Sequence, residues 1–413
     1  MRIFKTIFLC LYFILAGLDV VAETTMMEIA GHVRSSKNKK PLENVAISIC
    51  ESPIGTVTNS DGYFSLKVPS DYPVKSIKLD LLGFEAITFP IPKDEDSQKN
   101  LTVMLNPSGK VLNEILVLGG NPKEIVKIAF HKIADNYSNE DNLFQGFYRE
   151  TIQKGNRYLS ISEAMVDLLK KPYTHRNIRG EKVSIHRGRR LLSPKNSDTL
   201  SVKLMDGPFL PINFDAVKNE DHLFTKDEIE NFTYTMLPSV IIDNHPHYSI
   251  QFTPNVELPY LLHNGIFYID TESYTISRVE FSLDMKDKAK VTRSILHKKP
   301  TGLRFKPLEV SGVVTYKSIE GKSYINYIAT KIRFQCDWKK RLFYSTYTST
   351  AEMVMVNRDN SPEKKLKFAE TFGKKKIFSD LVDNYWEPDF WKDYNIIEPS
   401  ESLENAVKKL RKN

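Results

Sequence analysis

The stretch Gly55-Thr56-Val57-Thr58-Asn59-Ser60-Asp61-Gly62-Tyr63-Phe64-Ser65-Leu66 decides the fold of the N-terminal region. Two apolar-polar alternations flank a run of turn-forming residues, which reads as strand, turn, strand. Gly62 suits a backbone position with positive φ, the Asn59 side chain offers an acceptor that closes the turn, and Phe64 and Leu66 point inward from the returning strand. Working outward, the same two-residue period recurs in Val45, Ile47 and Ile49 before it, then in Val68, in Ile77, Leu79 and Leu81, and in Leu101, Val103 and Leu105. Short half-buried strands separated by Gly, Pro, Asn and Asp predict a β-sandwich of about seven strands over residues 27–106.

Beyond the sandwich, residues 107–120 form a linker segment, and Asn121-Pro122-Lys123-Glu124 opens a helix. Asn121 caps it, Pro122 takes the first helical position and Glu124 completes a capping box, while Ile125, Val126, Ile128, Ala129 and Ile133 give it one apolar face. Strands then resume. Gly146 to Glu150 runs toward a hairpin at Lys154-Gly155-Asn156 and returns from Tyr158 to Asp167. From Tyr248 onward the alternation is plain in Tyr248, Ile250 and Phe252, in Phe267 and Ile269, in Val279 and Phe281, and on either side of Glu320-Gly321. Consecutive strands joined by short turns predict a large curved antiparallel meander over 121–398, followed by a short C-terminal helix within 399–413. The polar stretch from Lys195 to Glu230 is either a long loop or a separator between two units.

The chain has 413 residues, three cysteines and a formal net charge of +7. Its first residues read as a signal peptide: Arg2 and Lys5, an apolar run from Ile7 to Ala16, then Val20-Val21-Ala22, with cleavage expected after Ala22. The apolar run is short of the roughly 20 residues a membrane-spanning helix needs. Cys10 has no small residue before it, which argues against a lipid anchor there. The mature chain is therefore expected without an integral membrane span, exported to the periplasm or associated with the outer membrane. An exported chain makes nucleic acid a poor partner. Cys50 and Cys336 are too far apart in sequence for a dense disulfide framework and are read as buried thiols, with a bridge between them as the alternative.

The order Gly31-His32-Val33, Pro41-Leu42-Glu43-Asn44-Val45, Gly55 to Leu66 and Leu82-Gly83-Phe84 resembles the carboxypeptidase-regulatory-like domain, a transthyretin-like sandwich. The family usually has Asp where this chain has Asn59. Leu112-Asn113-Glu114-Ile115-Leu116-Val117 resembles the segment that follows this domain in Bacteroidota envelope proteins, including outer-membrane transporters. The residues left behind it are too few for a plug and a barrel of roughly 22 strands. Gly265 to Asp270 followed by Tyr274 to Glu280 is similar to strands of periplasmic lipoprotein-carrier half-barrels. Taken together with Gly146-Phe147-Tyr148-Arg149-Glu150 and the Phe390-Trp391-Lys392-Asp393-Tyr394-Asn395 tail, the chain resembles Bacteroidota envelope proteins with carboxypeptidase-like regulatory domains. That resemblance implies an architecture and an address but no reaction.

Catalytic motifs fail on inspection. No histidine has Glu three residues on, and His-Glu-x-x-His, the Gly-x-Ser-x-Gly elbow and the phosphate loop are all missing, Tyr316 standing where the loop before Gly321-Lys322-Ser323 needs Gly. No catalytic, metal or cofactor residue is assigned. Three constellations were set against blander readings. Asp243, His245 and His247, with His263 or Asp270, have the residue types of a metal site, but Pro246 marks a strand edge and surface histidines are favoured. Arg149 falls opposite Ser162 with Glu163 within diagonal reach, either a charged ligand clamp or, preferred, a cross-strand ion pair worth under about 1 kcal/mol if exposed. Tyr385, Trp386, Phe390, Trp391 and Tyr394 offer either a sugar-stacking platform or, preferred, packing against the meander. The basic stretch from Lys170 to Arg190 is read as a solvated loop before an anion-binding patch. The function expected is non-catalytic binding of an envelope protein, lipid or glycan. The alternatives are an envelope hydrolase with its site on the large domain, and an accessory protein of an outer-membrane transporter.

Overall fold

The computed structural model describes residues 25–108, 120–193, 202–204, 207–220, 226–338, 345–359, 366, 371–373, 378–386 and 394–411. The segment read as a signal peptide, most of the expected linker segment, Phe390 and Trp391 lie outside the described residues.

The first seven strands are β1 (Met26–Ser35), β2 (Ala46–Ile49), β3 (Gly55–Val57), β4 (Tyr63–Pro69), β5 (Ser76–Asp80), β6 (Ile87–Pro90) and β7 (Leu101–Leu105). They form two facing sheets, ordered β4-β1-β7 and β3-β2-β5-β6. β1 and β7 run parallel, and the other pairs are antiparallel. The inward residues expected from the alternation make one core, with Val45, Phe64, Leu66, Ile77, Leu79 and Leu105 fully buried. Gly62 has φ +73, and a Cβ there would lie 2.5 Å from the Val33 carbonyl oxygen, so only glycine fits without strain. Asn59 closes the turn as expected, its Oδ1 accepting from the amides of Asp61 at 2.9 Å and Tyr63 at 3.0 Å.

Helix α1 (Pro122–His131) follows, with the Asn121 side chain accepting from the Lys123 amide at 3.0 Å. Ile125, Val126, Ala129 and Phe130 are buried, whereas Ile128, assigned to that face from the sequence, is exposed.

The rest of the chain builds a ten-stranded antiparallel sheet and a small two-stranded one. The strands are β8 (Asn142–Lys154), β9 (Arg157–Lys170), β10 (Lys182–Leu192), β11 (Lys203–Leu204), β12 (Phe232–Ile242), β13 (His245–Pro254), β14 (His263–Asp270), β15 (Ile276–Leu283), β16 (Leu296–Lys298), β17 (Leu303–Ile319), β18 (Lys322–Trp338) and β19 (Ser345–Asp359). The large sheet is ordered β10-β9-β8-β19-β18-β17-β15-β14-β13-β12. β12 to β19 is the expected meander. The earlier hairpin strands β8 to β10 are added at its far end through β19, and β11 pairs with β16 apart from the sheet. Residues 193–231 connect one outer strand, β10, to the other, β12. Strands on both sides of that polar segment thus belong to one sheet, and Phe209, Ile212, Phe214 and Val217 within it join the core.

Register sorts the side chains onto two faces, because successive residues of a strand point to opposite sides. One transverse row, Ile250, Phe267, Val279, Val314, Ile328 and Met353, is fully buried and packs with α1 and the connecting segment. The row offset by one residue along each strand faces the sandwich. Helix α2 (Lys288–Ile295) covers a smaller core near the ends of β17 and β18, and α3 (Glu401–Arg411) ends the described chain.

Candidate functional site

The sandwich-facing side of the ten-stranded sheet is polar where its far side is apolar. Two adjacent rows cross the central strands. The first runs Thr151, Thr350, Lys331, Ser311, Ser282, and the second Arg149, Glu352, Ala329, Val313, Glu280. The sequence dictates this locally: in Arg278-Val279-Glu280-Phe281-Ser282 the apolar residues go to the core and the polar ones to the opposite face. Above these rows, Glu43, Asn44 and Thr58 to Ser60 of the sandwich form a roof, and Ile397, Glu398, Ser400 and Leu403 form a side wall. The cavity between them, open to solvent on part of its boundary, measures about 640 Å³. Among the described residues no histidine or cysteine lines it.

A charged cluster fixes one end. Arg149 Nε lies 2.7 Å from Glu163 Oε1, Nη1 lies 3.4 Å from Glu352 Oε1, and Nη2 donates to the Ile397 carbonyl at 2.6 Å. The other Glu163 oxygen takes Arg189. Burial alone would raise the Glu163 carboxyl, but Arg149 and Arg189 outweigh it and hold it below the usual range. Burial raises Glu43, with Glu352 and Asp61 adding to the effect. Burial likewise raises Glu398, against the pull of Lys67 and Arg149. At the other end the charges are paired within the wall. Arg278 Nε donates to Glu280 at 2.9 Å, and Lys331 lies 3.5 Å from Glu309, outside the cavity lining.

Two asparagine side chains help hold the roof in place by imitating a strand. The Asn395 amide accepts from Lys67 N at 2.7 Å and donates to Lys67 O at 2.9 Å, at β4, the outer strand of its sheet. Asn244 does the same to Ala86, at 3.0 and 2.9 Å. Asn244 reaches it because the β12–β13 turn places both Asp243 and Asn244 at positive φ, the twist a two-residue hairpin requires. Ile396 and Ile397 lie buried with Val57 of the sandwich and Phe147, Met165 and Val354 of the sheet. Each such burial stabilises the junction by about 1.5–3 kcal/mol.

The constellations singled out in the sequence fare differently. Arg149 and Glu163 are brought together, but directly opposite rather than diagonal, because a register shift between Ile152 and Gln153 moves the pairing by one residue; Ser162 instead faces Glu150. The pair is buried, not exposed. The histidine set is not assembled. His247 is buried, with its nitrogens 2.8 Å from the His245 carbonyl and from Ser277 Oγ, and burial lowers its pKa. Asp270 stands opposite His247 but accepts from the Glu272 and Ser273 amides to shape its own turn. His263 is at the other end of β14 from Asp270, and His245 is exposed. Among the described residues no three His, Cys, Asp or Glu side chains are placed to hold a metal ion. Tyr394 packs against the cluster of Val57, Phe147 and Ile396, Tyr385 packs on the main core, and Trp386 is exposed.

The basic stretch is not a single solvated loop, since its second half is strand β10. Lys170 is fully buried, 2.7 Å from Asp215 Oδ2 and 3.2 Å from Glu181 Oε1, and Tyr316 donates to Asp215 Oδ1 at 2.7 Å. Arg176 is buried over the Phe130 ring, 4.6 Å from its centroid. Of the arginines and lysines named there, only Arg179 is exposed. The cysteines are unbridged. Cys336 is buried, which pushes its thiol up to about 11, but Cys50 is exposed, contrary to the expectation of two buried thiols.

The cavity itself was missed in the sequence. Its signal was the polar half of an alternation whose apolar half had been used to find the core.

Among solved structures, the chain is similar to a domain ascribed to outer-membrane lipoprotein sorting in Vibrio parahaemolyticus, with 11% identity, TM-score 0.28 and coverage of 60% of this chain and 94% of that one. It is also similar to a LolA superfamily protein from Nitrosomonas europaea, with 13% identity, TM-score 0.25 and coverage of 60% and 99%. A DUF1329 family protein from Desulfovibrio piger matches with 10% identity, TM-score 0.25 and coverage of 60% and 97%. No curated protein matches the chain by sequence. No helix among the described residues is long and apolar enough to cross a membrane. The N-terminal resemblance does stand at the level of sequence: residues 29–117 match the CarboxypepD_reg-like domain family.

Proposed function

We propose that the protein is a non-catalytic binding module of the cell envelope, and that its ligand occupies the cavity between the sandwich and the ten-stranded sheet. The observation that carries this reading is the polar sheet face beneath the roof. Five central strands present Ser, Thr, Lys and Glu side chains there, beside the apolar contact through which Val57 of the sandwich meets Phe147 and Val354 of the sheet. Volumes of roughly 300–1,000 Å³ are those of ligand sites. Ala329→Trp places an indole on the cavity floor. The test compares material captured by the mature chain and by this variant from crosslinked envelopes, with proteins, lipids and glycans identified by mass spectrometry. A species bound by the wild type and lost in the variant supports the reading, whereas identical recoveries refute it.

The rival is a hydrolase, favoured by one observation: Glu43 and Glu398, both with raised pKa values, line the same cavity. Turnover of envelope glycans or peptides by the wild type, abolished in Glu398→Gln, would establish it in place of the binding module.

A further inference from the structure

We infer that the ligand, given the binding reading above, is a linear uncharged oligosaccharide lying across the strands.

The geometry comes first. Thr151, Thr350, Lys331, Ser311 and Ser282 occupy matching positions on five neighbouring strands, so their row runs perpendicular to the chain direction. Adjacent members are one strand spacing apart, about 4.8 Å, which makes the row roughly 19 Å long. Alongside it, Ala329 and Val313 give a low, apolar floor, bounded by the buried Tyr327, whose hydroxyl donates to Glu352 at 3.3 Å. A polar bank beside an apolar floor, repeated strand by strand, complements a chain of sugar rings. Each ring has an apolar face and a rim of hydroxyls, and an extended glycan advances by about one strand spacing per ring.

Other classes fit less well. An extended peptide advances by about 3.3 Å per residue, out of step with the row, and it needs backbone partners that an open strand edge offers and a sheet face does not. An acyl chain would strip water from the Arg278–Glu280 pair and from Lys331 while offering them no hydrogen bonds of its own. An anionic ligand would need unpaired cations, but Arg278 is paired to Glu280, Lys331 lies beside Glu309, and Arg149 is taken by Glu163 and Glu352.

The test is calorimetric titration of the mature full-length chain with cello-, chito-, malto- and xylo-oligosaccharides of one to six units, with tetra-alanine and lauric acid as counter-probes. One sugar series is expected to bind, with affinity rising at least tenfold from two units to four and levelling by six. Ala329→Trp should weaken it tenfold or more. Lys331→Ala, a milder change at an exposed position, should weaken it about threefold. Failure of all four series to bind overturns the oligosaccharide assignment, as does equal binding by wild type and Ala329→Trp. If tetra-alanine or lauric acid binds instead and Ala329→Trp abolishes it, the cavity remains the site and only the ligand class is wrong. If no probe binds and the envelope capture is also unchanged by Ala329→Trp, both readings fall.

Discussion

Arg149 and Glu163 face each other across β8 and β9, with Nε and Oε1 2.7 Å apart and both side chains buried. A buried pair is costly to break because the survivor keeps its charge without its partner. Arg149→Met should therefore destabilise the fold by about 3–5 kcal/mol. Glu163→Gln should have an effect in the same direction, since it leaves two arginines facing a neutral amide. Urea denaturation of the two variants checks this; a loss under about 1 kcal/mol would show the pair to be solvated in solution.

Asn395 makes two hydrogen bonds to the backbone of Lys67 and none of them survives in Asn395→Ala. The expected loss is about 1–3 kcal/mol. Because the bonds close an outer strand, the readout that distinguishes them is local: amide exchange at Lys67 should quicken while exchange at the core positions of β14 and β15 stays unchanged.

Asp80 accepts from the Asp243 amide at 3.1 Å where the β12–β13 turn meets the sandwich, and burial there raises its pKa to about 6. A folded-state pKa above the unfolded value of about 3.9 means that the folded chain binds the extra proton between those two values. The stabilisation from this group is thus fully present below about pH 4 and is lost as pH rises through about 6. Thermal midpoints measured from pH 4 to 7 should show that this component disappears in Asp80→Asn.

Asp215 gathers Lys170, Tyr173 and Tyr316 in a fully buried cluster. Asp215→Ala should cost about 3–5 kcal/mol, because the buried Lys170 keeps Glu181 but loses its nearer carboxylate, and the Tyr173 and Tyr316 hydroxyls lose their acceptor. It should also release residues 207–220 from the sheet, seen as new proteolytic cleavage within that segment.

Cys50 and Cys336 differ in access, and a maleimide should show it. In native protein Cys50 is expected to take up label and Cys336 only after denaturation, as read by peptide mapping; labelling of Cys336 under native conditions would contradict its burial.

The sandwich was legible in the sequence because its strands are half-buried and each carries its own two-residue period, as in Phe64, Leu66 and Val68. The cap at Asn121 and the hairpin at Gly155 were legible for the same reason: each depends on residues adjacent in the chain. Three features were not. The register shift that sets Arg149 against Glu163 depends on the bulge near Gln153, which leaves no compositional mark. The burial of Lys170 depends on Asp215 and Glu181, which belong to other parts of the chain. The cavity depends on rows contributed by five strands, and only the pairing of β19 with β8 sets Thr151 and Arg149 beside Thr350 and Glu352.

That pairing also governs the order in which the protein can be made. β8 is among the earliest strands of the large sheet to leave the ribosome, yet its second neighbour, β19, is the last. Until Ser345–Asp359 has been synthesised, the β8–β10 hairpins display a bare row of backbone donors and acceptors along one side. Such an edge invites pairing with another nascent chain. A fragment that ends between β10 and β19 would keep that edge bare and should aggregate where the whole chain does not.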